Sequence, residues 1–103
     1  MNAGRFGLTE ATIEKIGGVL ARHPQVERAM LYGSRAKGNF KNGSDIDLTL
    51  VGQELQTKDL MDIAEELDEL LLPYMIDLSI FSKLTHQQLV EHIQRVGTIF
   101  YQQ

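Results

Sequence analysis

The sequence predicts an α/β (α+β) domain, a small mixed β-sheet with helices packed against it, from three observations. Apolar residues recur at helical spacing in three separate stretches. Two other stretches alternate apolar and polar residues with the period of a half-buried strand. The two kinds of stretch interleave along only 103 residues, which suits helices layered on one sheet in a single domain, 1–103.

Each element has a local cause. Thr9 can cap a helix running to about Arg22, with Ile13, Ile16 and Leu20 on one face; His23-Pro24 then blocks continuation. Val26 to Tyr32 is an apolar-rich run that ends at Gly33, a strand delivering the chain to a tight turn. From Gly33 to Gly43 small, basic and glycine residues predict a loop with one helical turn at Ser34–Lys37. Asp45–Val51 alternates, with Ile46, Leu48 and Leu50 on one face and Asp45, Asp47 and Thr49 on the other. A second long helix is expected from about Lys58 to Leu71, capped by Thr57 and stopped by Pro73, with Leu60, Ile63, Leu67, Leu70 and Leu71 facing the core. Met75–Phe81 alternates again and puts Asp77 with Met75 and Ser79. Thr85 is the expected cap of a third helix carrying Leu89, Ile93 and Val96, ended by Gly97, and Thr98–Tyr101 forms a final short strand.

Composition excludes several functions. Ten basic residues against fourteen acidic ones leave a charge of -4, so general nucleic-acid binding is not expected. The charge is uneven, however. Between Gly33 and Ser44 the only charged residues are Arg35, Lys37 and Lys41, a local setting for an anion, whereas 59–69 is strongly acidic and reads as a solvated helix face. The absence of cysteine removes thiolate chemistry and cysteine-ligated metals. No run approaches the roughly 20 apolar residues of a membrane span, so a cytoplasmic protein without a membrane partner is expected.

The chemistry lies in the aspartates. Two carboxylates at i and i+2 of a strand point the same way, their backbones about 6.6 Å apart. Held near 4 Å, two such charges repel by about 4 kcal/mol at an effective dielectric near 20, so Asp45 and Asp47 call for a cation. Mg²⁺ fits, because it takes a few carboxylates together with water and phosphate oxygens. With Asp77 on a neighbouring strand, three carboxylates could hold two ions for in-line attack at phosphorus. Gly33-Ser34-Arg35-Ala36-Lys37-Gly38 supplies the phosphate side, since glycine permits close backbone approach and the Ser34 hydroxyl and free N–H groups can donate. The same run meets G-x-x-x-x-G, but Asn39-Phe40 replaces the Lys-Ser/Thr of a P-loop, and that reading fails.

That run, followed by Ser44-Asp45-Ile46-Asp47-Leu48, resembles the GSxAxG and SDxDL signature of the polymerase-beta-like nucleotidyltransferases, and the likeness extends from Val26 to Ile80. The short chain and the later strand aspartate, Asp77, resemble the minimal nucleotidyltransferase branch of that superfamily. The resemblance implies that Gly33 and Ser34 hold the β- and γ-phosphates; Arg35, at a less diagnostic place of the motif, and Ser44 are further candidates for the nucleotide-binding set. It further implies that Asp45 and Asp47 bind both metals, and that Asp77 completes the catalytic site and helps activate the acceptor hydroxyl. From the residues alone, Arg35 divides evenly between phosphate contact and ordinary surface charge. The likeness also implies ATP as substrate and a small all-helical partner of the HEPN class, with this chain as antitoxin placing AMP on a partner tyrosine.

Two alternatives carry weight. The site could bind Mg-nucleotide without chemistry while the chain neutralises a partner by occlusion. A metal-dependent glycosyltransferase could use Asp45-Ile46-Asp47, but the chain is short for one and the Gly33-Ser34 loop goes unexplained. His23, His86 and His92 lack ligand spacing and read as surface or helix-packing residues. Met61 and Met75 read as core filler, and Phe6, Leu8, Ile99, Phe100 and Tyr101 as core edge. An acceptor surface is expected from another chain, which leaves both homo- and hetero-oligomers open.

Overall fold

A computed structural model describes residues 5–103. The elements run α1 (Glu10–Ala21), β1 (Arg28–Tyr32), α2 (Ser34–Lys37), β2 (Ile46–Val51), α3 (Thr57–Asp68), β3 (Ile76–Ile80), a 3-10 turn (Phe81–Lys83), α4 (Gln87–Val96) and β4 (Thr98–Gln102). The expected mixed sheet forms, in the order β3-β2-β1-β4. β1 pairs antiparallel with both β2 and β4, while β2 and β3 run parallel through the α3 crossover.

Alternation divides the sheet into two faces. Ala29, Leu31, Ile46, Leu48, Leu50 and Ile80 are buried in one core with Ile13, Ile16, Val19 and Leu20 of α1 and Ile63 and Leu67 of α3. The opposite face begins with Tyr32, Asp47 and Asp77 in one row across β1, β2 and β3, followed by Met30, Thr49 and Ser79. Thr49 is fully buried and accepts a 2.8 Å hydrogen bond from the Ser79 hydroxyl, so the middle of this second row is closed to solvent. The apolar ends behave as core edge at Leu8 and Phe100, and the rings of Phe6 and Phe100 lie 5.9 Å apart.

Several local expectations are corrected. Gln56, not Thr57, precedes the first turn of α3, and its N–H donates to Asp59 Oδ2 at 2.8 Å; a carboxylate three residues on reaches back, as in a capping box. α3 ends at Asp68 rather than Leu71. His86, not Thr85, caps α4, its Nδ1 accepting the Leu89 N–H at 3.2 Å. Met61 and Met75 are 66% and 73% exposed and so fill no core gap. β1 starts at Arg28 rather than Val26, although Val26 is buried.

Candidate active site

The site forms where β1, β2 and β3 present one row of side chains. Asp47 and Asp77 are direct partners in the parallel register, on strands about 4.8 Å apart, and Tyr32 flanks Asp47 on the other side. Burial raises the Asp47 pKa above its ordinary value, and the charges of Asp77 and then Asp45 raise it further. Sequence spacing pairs Asp47 with Asp45, but register makes Asp77 its stronger electrostatic neighbour. Asp45 lies exposed just ahead of β2, outside the ladder. Burial also raises the Tyr32 pKa, with Asp77 and Asp47 adding to the effect.

Gly33 has φ 78°, and a Cβ placed there would collide with the Asp47 carboxylate oxygen Oδ2. Its missing side chain therefore lets the carboxylate of β2 lie directly against the turn leaving β1. Ser34 opens α2, whose first N–H groups have no acceptor within the helix. The Gly33 turn and the carboxylate row are thus contiguous.

Arg35 takes a different place from the phosphate contact considered above. It is only 3% exposed, and its guanidinium donates to the backbone carbonyls of Ser44 and Phe6 while lying over the rings of Phe40 and Tyr74. The Ser44 hydroxyl accepts the Lys41 N–H at 2.8 Å, which closes the loop before Asp45. His92, assigned no role from sequence, accepts the Gly33 N–H through Nε2 at 3.3 Å and meets the Tyr32 ring edge-on. No spacing signal could have found it, because 59 residues separate His92 from Gly33.

A divalent cation suits this donor set. Adjacent carboxylates, one with its pKa raised by burial and by its neighbours, are a conflict that positive charge relieves. Among the described residues, however, no three carboxylate or imidazole side chains are gathered closely enough to form a ready-made metal cluster.

The fold and this row of side chains define a class, and comparison with known proteins agrees: the chain belongs to the polymerase beta nucleotidyltransferase family, whose profile matches residues 14–103. Among solved structures, it is similar to a chain of a toxin–antitoxin complex with AMP-PNP, at 22% identity and a TM-score of 0.71, covering 88% of this chain and 73% of that one. It is also similar to a chain of the tri-AMPylated Shewanella oneidensis HEPN toxin in complex with MNT antitoxin, at 19% identity and a TM-score of 0.67, covering 91% and 72%. A Sulfolobus solfataricus protein solved as a candidate nucleotidyltransferase covers 100% of this chain and 93% of its own length, at 19% identity and a TM-score of 0.53. At these identities the likenesses establish the fold. No curated protein matches the chain. Among the described residues, no helix is long and apolar enough to cross a membrane.

Proposed function

We propose that the chain is a Mg²⁺-dependent nucleotidyltransferase that moves AMP from ATP to an acceptor hydroxyl, as the antitoxin of a HEPN/MNT pair. The observation that carries this reading is the contiguity of Gly33, Asp47 and Asp77: a glycine turn lying directly against the first of two carboxylates in register. The names of two structural neighbours, one a toxin–antitoxin complex with AMP-PNP and one with an AMPylated HEPN toxin, support the substrate and the partner.

In this mechanism Ser34 and the N–H groups opening α2 hold the β- and γ-phosphates, while Asp45, Asp47 and Asp77 are the residues that would bind Mg²⁺, two ions in the full site. Bound there, the metal supplies neutralisation of the triphosphate and a lowered pKa for the acceptor hydroxyl. Asp77, on the edge strand, faces the acceptor and takes part in drawing off its proton. The acceptor oxygen bonds to the α-phosphorus as the bond to the departing pyrophosphate breaks. A HEPN-class helical protein supplies the hydroxyl.

One observation favours a second reading. Asp45 stands apart and exposed, and among the described residues no three carboxylates are gathered, as would suit a module that binds nucleotide and neutralises its partner by occlusion alone. Incubation with the helical partner, labelled ATP and Mg²⁺ separates the two. Transfer of label to the partner is expected, falling by about 100-fold or more in Asp45→Ala/Asp47→Ala. ATP binding with no label on the partner or on added RNA would leave the occlusion reading in its place.

A further inference from the structure

We propose that Arg35 is a positioning residue: its guanidinium fastens together the segments that carry Ser34, Asp45 and Asp77 and so sets the spacing between the phosphate turn and the carboxylates. The metal-related part of this inference rests on the function proposed above; the coupling of segments does not.

The contacts reach the segments that carry or lead to Ser34, Asp45 and Asp77. Nε and Nη2 donate to the Ser44 carbonyl at 3.1 and 2.9 Å, one peptide bond from Asp45. Nη1 donates to the Phe6 carbonyl at 2.8 Å, tying in the turn that the Arg5–Leu8 bridge closes. The guanidinium carbon lies 5.2 Å from the Phe40 ring centre and 4.9 Å from that of Tyr74. Tyr74 begins the segment leading to Asp77, and the next residue, Met75, accepts the Ile46 N–H at 2.9 Å. Arg35 itself follows Ser34 directly in α2.

The energetics make these contacts binding. A buried guanidinium without a carboxylate partner is costly, and only well-placed acceptors and aromatic faces offset that cost. No carboxylate is paired with Arg35 among the described salt bridges, so its charge depends on two carbonyls and two rings. A shift of the Ser44 loop, the Phe6 turn or the Tyr74 segment removes part of that compensation, which penalises movement of any one relative to the others. Gly7 serves the same cluster, since a Cβ there would press into the Phe40 ring and Arg35 Nη1. Lysine cannot replace Arg35, because a single ammonium does not reach both carbonyls in a planar fork.

Amide hydrogen exchange on the metal-free protein, followed by Mn²⁺ titration read by water-proton relaxation, tests this. In Arg35→Lys, exchange should quicken in residues 5–8, 40–45 and 73–77 while Ile16, Val19 and Leu20 of α1 stay protected, and Mn²⁺ affinity should fall about 10-fold. Tyr74→Leu removes one ring and should loosen 40–45 across space, and it carries the test if Arg35→Lys does not fold. Ile16→Val, a core change remote from the site, should lower the melting temperature yet leave Mn²⁺ affinity unchanged. Exchange changes confined to α2, or a loss of Mn²⁺ affinity no greater than in Ile16→Val, would overturn the proposal. If the unaltered protein takes up no Mn²⁺, the metal-site reading fails, and the exchange pattern alone decides the coupling.

Discussion

Asp47 is held where ionisation is unfavourable, partly buried and beside Asp77, and this has a consequence for stability. Because its folded pKa is raised, the native state keeps the proton to higher pH than the unfolded chain, whose carboxylate titrates near 3.8. Stability therefore falls as pH climbs above that value through the raised pKa, and the deficit persists at neutral pH. Asp47→Asn, which cannot ionise, should melt higher than the unaltered protein at pH 7. Solvent screening limits the gain to about 2–4 °C. The difference should shrink steadily in a melting series taken down to pH 4, and Mg²⁺ should raise the melting temperature of the unaltered protein more than that of the variant. A gain that is the same at every pH would show that charge is not its cause. At this scale the nearness of Gly33, Ser34 and Asp47 was legible because they lie close together in one chain segment, and the face of Asp77 because alternation fixes it. Arg35 and His92 were not: one looks like a surface cation and the other like a helix-packing residue until folding brings Ser44, Phe6 and Gly33 against them.

Among the elements, α3 shows where local signals mislead. The apolar stripe through Ile63 and Leu67 is real, but Leu70 and Leu71 lie past the last helical residue. Leu71 has φ 55° and is 88% exposed, so a branched side chain sits in a left-handed conformation with little burial in return. Leu71→Gly should therefore stabilise the protein by about 0.5–1 kcal/mol, read as an upward shift in the urea midpoint with an unchanged slope. Loss of stability would mean that the exposed leucine contributes packing the geometry does not show. Helix interiors were legible from periodicity, whereas both revised caps depend on a side-chain hydrogen bond that several nearby polar residues could have made. Thr57 and Thr85 were the expected caps, and geometry gives the position to the neighbouring Gln56 and His86 instead.

At the scale of the molecule, alternation disclosed the strands but not their order. Nothing in Ile76–Ile80 alone says that it runs beside β2 rather than β4 or in which direction; the sheet order follows from burying α1 and α3 on one face together with a parallel crossover. That crossover also bears on the order of assembly. β1 and β2 meet through a short connection, whereas β3 must wait for the intervening chain to close, and closing a longer loop costs more entropy. The repulsion between Asp47 and Asp77 thus arises only as β3 docks. A cation held there, as the proposed function requires, would act on the finished structure and would have little to bind before that step. Mg²⁺ should accordingly lengthen the lifetime of the native protein, slowing unfolding in stopped-flow experiments while leaving the refolding rate nearly unchanged. The row proposed for phosphoryl transfer would then also serve as a late-closing clasp, fastened by the metal proposed to bind there.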